Sequence, residues 1–79
     1  MLAVSAYVLI QTEVGKAAGV ASAVAGLAGV TSAETVTGPY DAIVRVEGET
    51  MDEVAKTVVS RVQMVDGITR TLTCEVVHL

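Results

Sequence analysis

Two stretches of the chain carry the residue types best suited to holding a small molecule. The first is Gly38-Pro39-Tyr40-Asp41. Glycine admits backbone dihedrals that other residues avoid and lets a ligand approach the main chain. Free N–H groups in such a turn can bind a carboxylate. Pro39 removes one donor but fixes the loop. Tyr40 offers a flat apolar face and a hydroxyl, and Asp41 is an anion suited to an α-ammonium group. A plain hairpin turn, with Asp41 bonding local backbone amides, explains the same residues. The second stretch is Arg70-Thr71-Leu72-Thr73. Arg70 can pair with a carboxylate, while Thr71 and Thr73 offer hydroxyls that donate and accept from one strand face. Here too a plainer reading stands beside the functional one. Threonine suits strands for packing reasons alone, and Arg70 serves equally well as a subunit contact.

Elsewhere the sequence excludes more than it offers. His78 is the only histidine and has no second His or Cys at metal-ligand spacing. Ser5, Ser22, Ser32 and Ser60 lack His and Asp partners in a recognisable order. Asp52 and Glu53 are a carboxylate pair, but a helix start explains both. Gly15-Lys16-Ala17 lacks the Gly-Lys-Ser/Thr of a phosphate loop. No catalytic residue, metal or cofactor is expected. Five Lys and Arg against nine Asp and Glu give a net charge of −4. The cations are scattered, so neither direct nucleic-acid binding nor attraction to anionic lipid is expected. The single Cys74 excludes an internal disulfide and reads as a small buried hydrophobe. No basic region precedes the first apolar residues, so no signal peptide is read. The Ala- and Gly-rich stretch from Ala17 to Ala33 inserts too weakly to span a membrane. It reads as a buried helix, with Gly15 and Gly19 spaced for close packing. The expected location is cytoplasmic.

These side chains must be placed by regular elements. Leu2–Ile10 reads as a strand, with Leu2, Val4, Ala6, Val8 and Ile10 on one face and Ala3, Ser5, Tyr7 and Leu9 on the other. Thr12 reads as the N-cap of a helix over 13–28 that Gly29 stops. Its apolar stripe is Val14, Ala17, Ala18, Ala21, Val24, Ala25 and Ala28. Val30–Thr37 and Ala42–Glu47 flank the Gly-Pro turn and should pair as a hairpin. In the former, Val30, Ser32, Glu34 and Val36 alternate with Thr31, Ala33, Thr35 and Thr37. Thr50 and Glu53 form a capping box for a helix carrying Met51, Val54, Ala55, Val58, Val59, Val62 and Val65, ended by Asp66-Gly67. Ile68–Leu79 is the last strand, with Ile68, Leu72, Cys74 and Val76 opposite Thr69, Thr71, Thr73, Glu75 and Val77.

The order strand, helix, strand, strand, helix, strand gives an α+β fold. It is a ferredoxin-like βαββαβ plait, with a four-stranded antiparallel sheet and both helices on one face. Such a sheet leaves its other face open. The chain has 79 residues, of which 41 are hydrophobic, 16 of them Val and 11 Ala. One small domain cannot hide that much apolar surface, so the open sheet face is expected to dimerise.

Three stretches resemble the ligand-binding domain of the Lrp/AsnC feast/famine regulators, also called the RAM domain. Gly38-Pro39-Tyr40-Asp41 with Ala42-Ile43-Val44-Arg45-Val46 resembles the family's Gly-x-Tyr-Asp turn and third strand. Gly67-Ile68-Thr69-Arg70-Thr71-Leu72-Thr73 resembles its closing strand. Leu27-Ala28-Gly29-Val30 resembles its Leu-Pro-Gly-Val stretch, with Ala28 in place of Pro. The resemblance implies a single ligand-binding domain over 1–79 without a DNA-binding domain. It implies no enzymatic activity. It also implies face-to-face homodimers that assemble into higher oligomers, octamer or decamer rings, with amino-acid effectors at dimer–dimer contacts. Co-assembly with full-length relatives would link the module to transcription regulation. On this footing the ligand-binding residues are Gly38, Pro39, Tyr40, Asp41, Arg70, Thr71 and Thr73. Two other functions fit the plait, a small dimeric enzyme of monooxygenase or isomerase type and a purely structural assembly partner.

Overall fold

Alternation of apolar and polar residues builds the sheet, and that alternation is obeyed most strictly in its two central strands. The computed structural model describes residues 4–79, so the strand positions expected for Leu2 and Ala3 lie outside the described residues. The elements are β1 (Val4–Thr12), α1 (Ala17–Ala25), β2 (Val30–Thr35), β3 (Ala42–Gly48), α2 (Met51–Ser60), a 3-10 turn (Val62–Met64) and β4 (Ile68–Glu75). The strands lie in the order β2-β3-β1-β4 and all pairs are antiparallel. This is the expected ferredoxin-like plait. Ala6, Val8 and Ile10 of β1 and Ala42, Val44 and Val46 of β3 are fully buried on one sheet face. Against them pack Val20, Ala21 and Val24 of α1 and Val54 and Val58 of α2, with Val62 from the 3-10 turn. Each fully buried Val contributes about 1.5–3 kcal/mol of transfer free energy.

The edge strands depart from simple alternation, and the departures have a purpose in packing. In β2, Val30 pairs with Val46 and Ser32 with Arg45, which leaves Thr31 as an extra residue. In β4, Ile68 pairs with Thr12 and Arg70 with Gln11, so Thr69 is extra. Each bulge inverts the side-chain parity beyond it. Val30 and Ile68, expected on the face with Ser32 and Leu72, are thereby turned to pack against the core.

The helices are shorter than the sequence periodicity suggests. Thr12 is not an N-cap. Its N–H donates to Asp41 Oδ2 at 2.8 Å, and the Glu13 N–H donates to the Gly67 carbonyl oxygen at 2.8 Å. Both amides are thus engaged outside any helix, and α1 starts only after Gly15 turns the chain with φ +81°. Val14, placed on the helix stripe, is fully exposed in that turn. Gly19 is exposed with nothing near it. The close packing expected of it occurs instead at Gly67, where an added Cβ would lie 3.2 Å from Lys16 Cβ and from Val20 Cγ2. Thr50 caps α2 as expected, its Oγ1 accepting from the Glu53 N–H at 3.2 Å, while the return bond of Glu53 Oε2 is taken from the Glu49 N–H at 3.3 Å, one residue before the cap.

Candidate functional site

The turn residues and the β4 residues reach the same end of the sheet by flanking β1 from opposite sides. Ala42, just after the turn, pairs with Ile10, and Ile10 pairs on its other side with Thr71. Two strand spacings, about 10 Å, therefore separate β3 from β4 here. Gln11 bridges the interval. Its Nε2 donates to the Pro39 carbonyl oxygen at 3.0 Å, and its Cα partner on β4 is Arg70. Gly38, with φ +140°, has open space on its side-chain face. Tyr40 and Asp41 are half-buried.

Asp41 is held on three sides. Its N–H donates to the Ile10 carbonyl oxygen at 2.8 Å, and its own carbonyl accepts from Val36 at 3.0 Å. Its Oδ2 accepts from Thr12. Among the described residues no donor is paired with Oδ1, which is left for a ligand or solvent. The turn thus combines the structural role with one carboxylate oxygen still available.

On β4 the predicted residues divide between the two faces. Arg70 is exposed on the face of Gln11. Thr71 and Thr73 point to the helix side, where they pair with Ile10 and Val8. Thr71 Oγ1 accepts from Gln63 Nε2 at 2.8 Å, and a groove of about 300 Å³ is lined by Gln63, Ile68, Thr69, Arg70 and Thr71. Thr73 lies farther along the strand, at mid-sheet and away from the turn. Gln11 and Gln63 were not among the residues singled out from the sequence. Gln63 stood off the apolar stripe, a signal of exposure rather than of function, and nothing in the spacing of Gln11 marks it.

The open sheet face is the other candidate surface. It carries Ser5, Tyr7, Leu9 and Gln11 of β1, Ile43, Arg45 and Glu47 of β3, Ser32 and Glu34 of β2, and Arg70, Leu72 and Cys74 of β4. Tyr7 is 40% and Leu72 44% exposed. Cys74, read as buried, is exposed here beside Tyr7, because nothing among the described residues covers this side of β4. The charges on this face are organised. Arg45 Nε donates to Glu47 Oε2 at 3.0 Å, Nη1 to the Tyr7 hydroxyl at 2.8 Å, and Nη2 to Ser5 Oγ at 3.1 Å. The guanidinium also lies 5.3 Å from the centroid of the Tyr7 ring. The hydrogen bond to Glu47, and then that to Tyr7, raise the Arg45 pKa above its ordinary value.

A third concavity, about 430 Å³, lies between the end of α1 and α2. Arg61 Nη1 closes one side by donating to the Ala28 carbonyl oxygen at 3.0 Å, and Glu53 serves the helix cap. Among the described residues no group of three His, Cys, Asp or Glu converges, and no helix is long and apolar enough to cross a membrane.

A plait with one open sheet face, a polar turn at one end of β1 and a groove along the edge strand β4 is a scaffold on which a ligand-binding domain can be built. Residues 5–78 match the model of the Lrp/AsnC ligand binding domain, and the chain belongs to that family. The fold is shared with TTHA0845 from Thermus thermophilus. The TM-score is 0.89 at 27% identity, over 98% of this chain and 96% of that one. Escherichia coli AsnC superposes with a TM-score of 0.87 at 22% identity, over 96% of this chain but 52% of its own. The transcriptional regulator NMB0573 of Neisseria meningitidis, in complex with L-Met, gives 0.83 at 18% identity, over 98% of this chain and 51% of its own. None of the curated proteins matches significantly in sequence. The chain is therefore a ligand-sensing module related to transcriptional regulators.

Proposed function

We propose that this module senses a free amino acid, and that it does so as a face-to-face dimer assembled into a larger oligomer. The observation that carries the reading is the convergence at the end of β1. The turn presents Asp41 Oδ1, an acceptor for an α-ammonium, and β4 presents Arg70, a partner for an α-carboxylate. Gln11 ties the two sides together. The sites are open in the single chain, since Gly38, Pro39 and Arg70 are all exposed. A second subunit would close them, which accords with an effector held between subunits. The L-Met complex of NMB0573 supports an amino acid as the class of ligand.

A thermal-shift panel of the common amino acids at millimolar concentration tests this. A ligand that binds only the native state stabilises it by about 2.7 kcal/mol at a concentration 100 times its Kd. At least one amino acid should raise the midpoint, and Arg70→Gln should remove that shift without changing the unliganded midpoint. A panel with no shift at all defeats the amino-acid reading.

A further inference from the structure

We propose that Arg45 is neutralised within its own chain so that the open sheet face can be buried against a second copy of itself. The proposal rests on the face-to-face dimer above, and adds how the face tolerates a charge near its centre. Around Arg45 lie Tyr7, Leu9, Ile43, Leu72 and Cys74, which gain by leaving water. A guanidinium among them would be costly to bury unless each of its donor groups were met. Each of its three nitrogens makes one bond within the chain, to Glu47, Tyr7 and Ser5, which uses three of its five N–H groups. The partner is thus asked for no anion.

The distribution of charge favours a second copy as the occupant. The open face holds two cations, Arg45 and Arg70, two anions, Glu34 and Glu47, and at its end Asp41, which alternates with core-facing Ala42, so its cations nearly balance its anions. Three of the four net negative charges lie elsewhere, on six acids and three cations. Most of the charge that opposes self-association therefore lies off this face, and the face itself adds little to it. Arg45 and Glu47 are partly withdrawn from solvent, with side chains 32% and 27% exposed, which reduces the desolvation still to be met on docking.

The test is a double-mutant cycle read by sedimentation equilibrium on the full chain. Glu47→Gln strips Arg45 of its counter-ion, and Arg45→Met strands the Glu47 carboxylate. Each single change should weaken self-association by roughly tenfold or more, while the double variant R45M/E47Q should return to within about threefold of the parent. Urea midpoints establish that the variants are folded, and the near-isosteric E47Q supplies the decisive comparison if R45M is unstable. If the parent self-associates and both single variants do so within about twofold of it, the role of Arg45 is overturned and the dimer stands. If the parent stays monomeric at every concentration, the face belongs to a different protein partner, and the dimer falls together with this proposal.

Discussion

Replacing Asp41 with alanine removes the acceptor that Thr12 uses to close the end of β1. The bond is 2.8 Å long, charge-assisted and half-buried. A hydrogen bond to a charged group contributes about 1.5–3 kcal/mol, and a buried donor left unmet costs about 1–3 kcal/mol. Partial exposure lets water recover some of this, so D41A should lose about 1.5–2 kcal/mol. For a domain of this size that is a fall in Tm of roughly 6–16 °C. D41N keeps an oxygen near the same place and loses only the charge assistance, so about 0.5–1 kcal/mol is expected. Urea denaturation of the three proteins at one concentration measures both differences. A loss below about 0.5 kcal/mol for D41A would refute the latch, and would mean that the carboxylate is free for other work. The comparison also separates two roles at one residue. A stability loss in D41A belongs to Oδ2 and Thr12, whereas loss of an amino-acid response in a folded D41N belongs to the charge that the proposed ammonium needs.

Two further outcomes concern the frame around the site. Gly29→Ala places a Cβ at φ +91°, 3.1 Å from Thr57 Oγ1 and 3.2 Å from its Cγ2, and should destabilise by about 2 kcal/mol in urea, from backbone strain and crowding together. Thr50→Ala removes the acceptor of the Glu53 N–H and should cost about 1 kcal/mol, seen as a lower urea midpoint.

The plait was legible because its central strands obey a period of two. Ala6, Val8 and Ile10 alternate cleanly with Tyr7 and Leu9, and Thr50 with Glu53 announces α2 without help from tertiary structure. The edges were less legible, because bulges at Thr31 and Thr69 exchange the faces of Val30 and Ile68. Threonine at those positions looks like any other strand threonine. The start of α1 was misread for a related reason. Thr12 and Glu13 make a good local helix start, but their amides are claimed by Asp41 and Gly67, residues distant in sequence. Pairing contacts overrode local propensity. The turn and Arg70 could be picked out as groups able to hold a ligand. Their joining through Gln11 could not, since it depends on the strand order.

The placing of the two bulges has a consequence for growth of the sheet. Both fall in β2 and β4, the strands that bound it on either side. A flat, regular margin is a template on which another chain can add strand after strand without limit. Each margin here is interrupted near the start of its strand by an extra residue, a feature that raises the local twist. Open-ended fibrous extension is thereby disfavoured, and the polymerisation hazard of a valine-rich chain is met at its borders rather than by its composition.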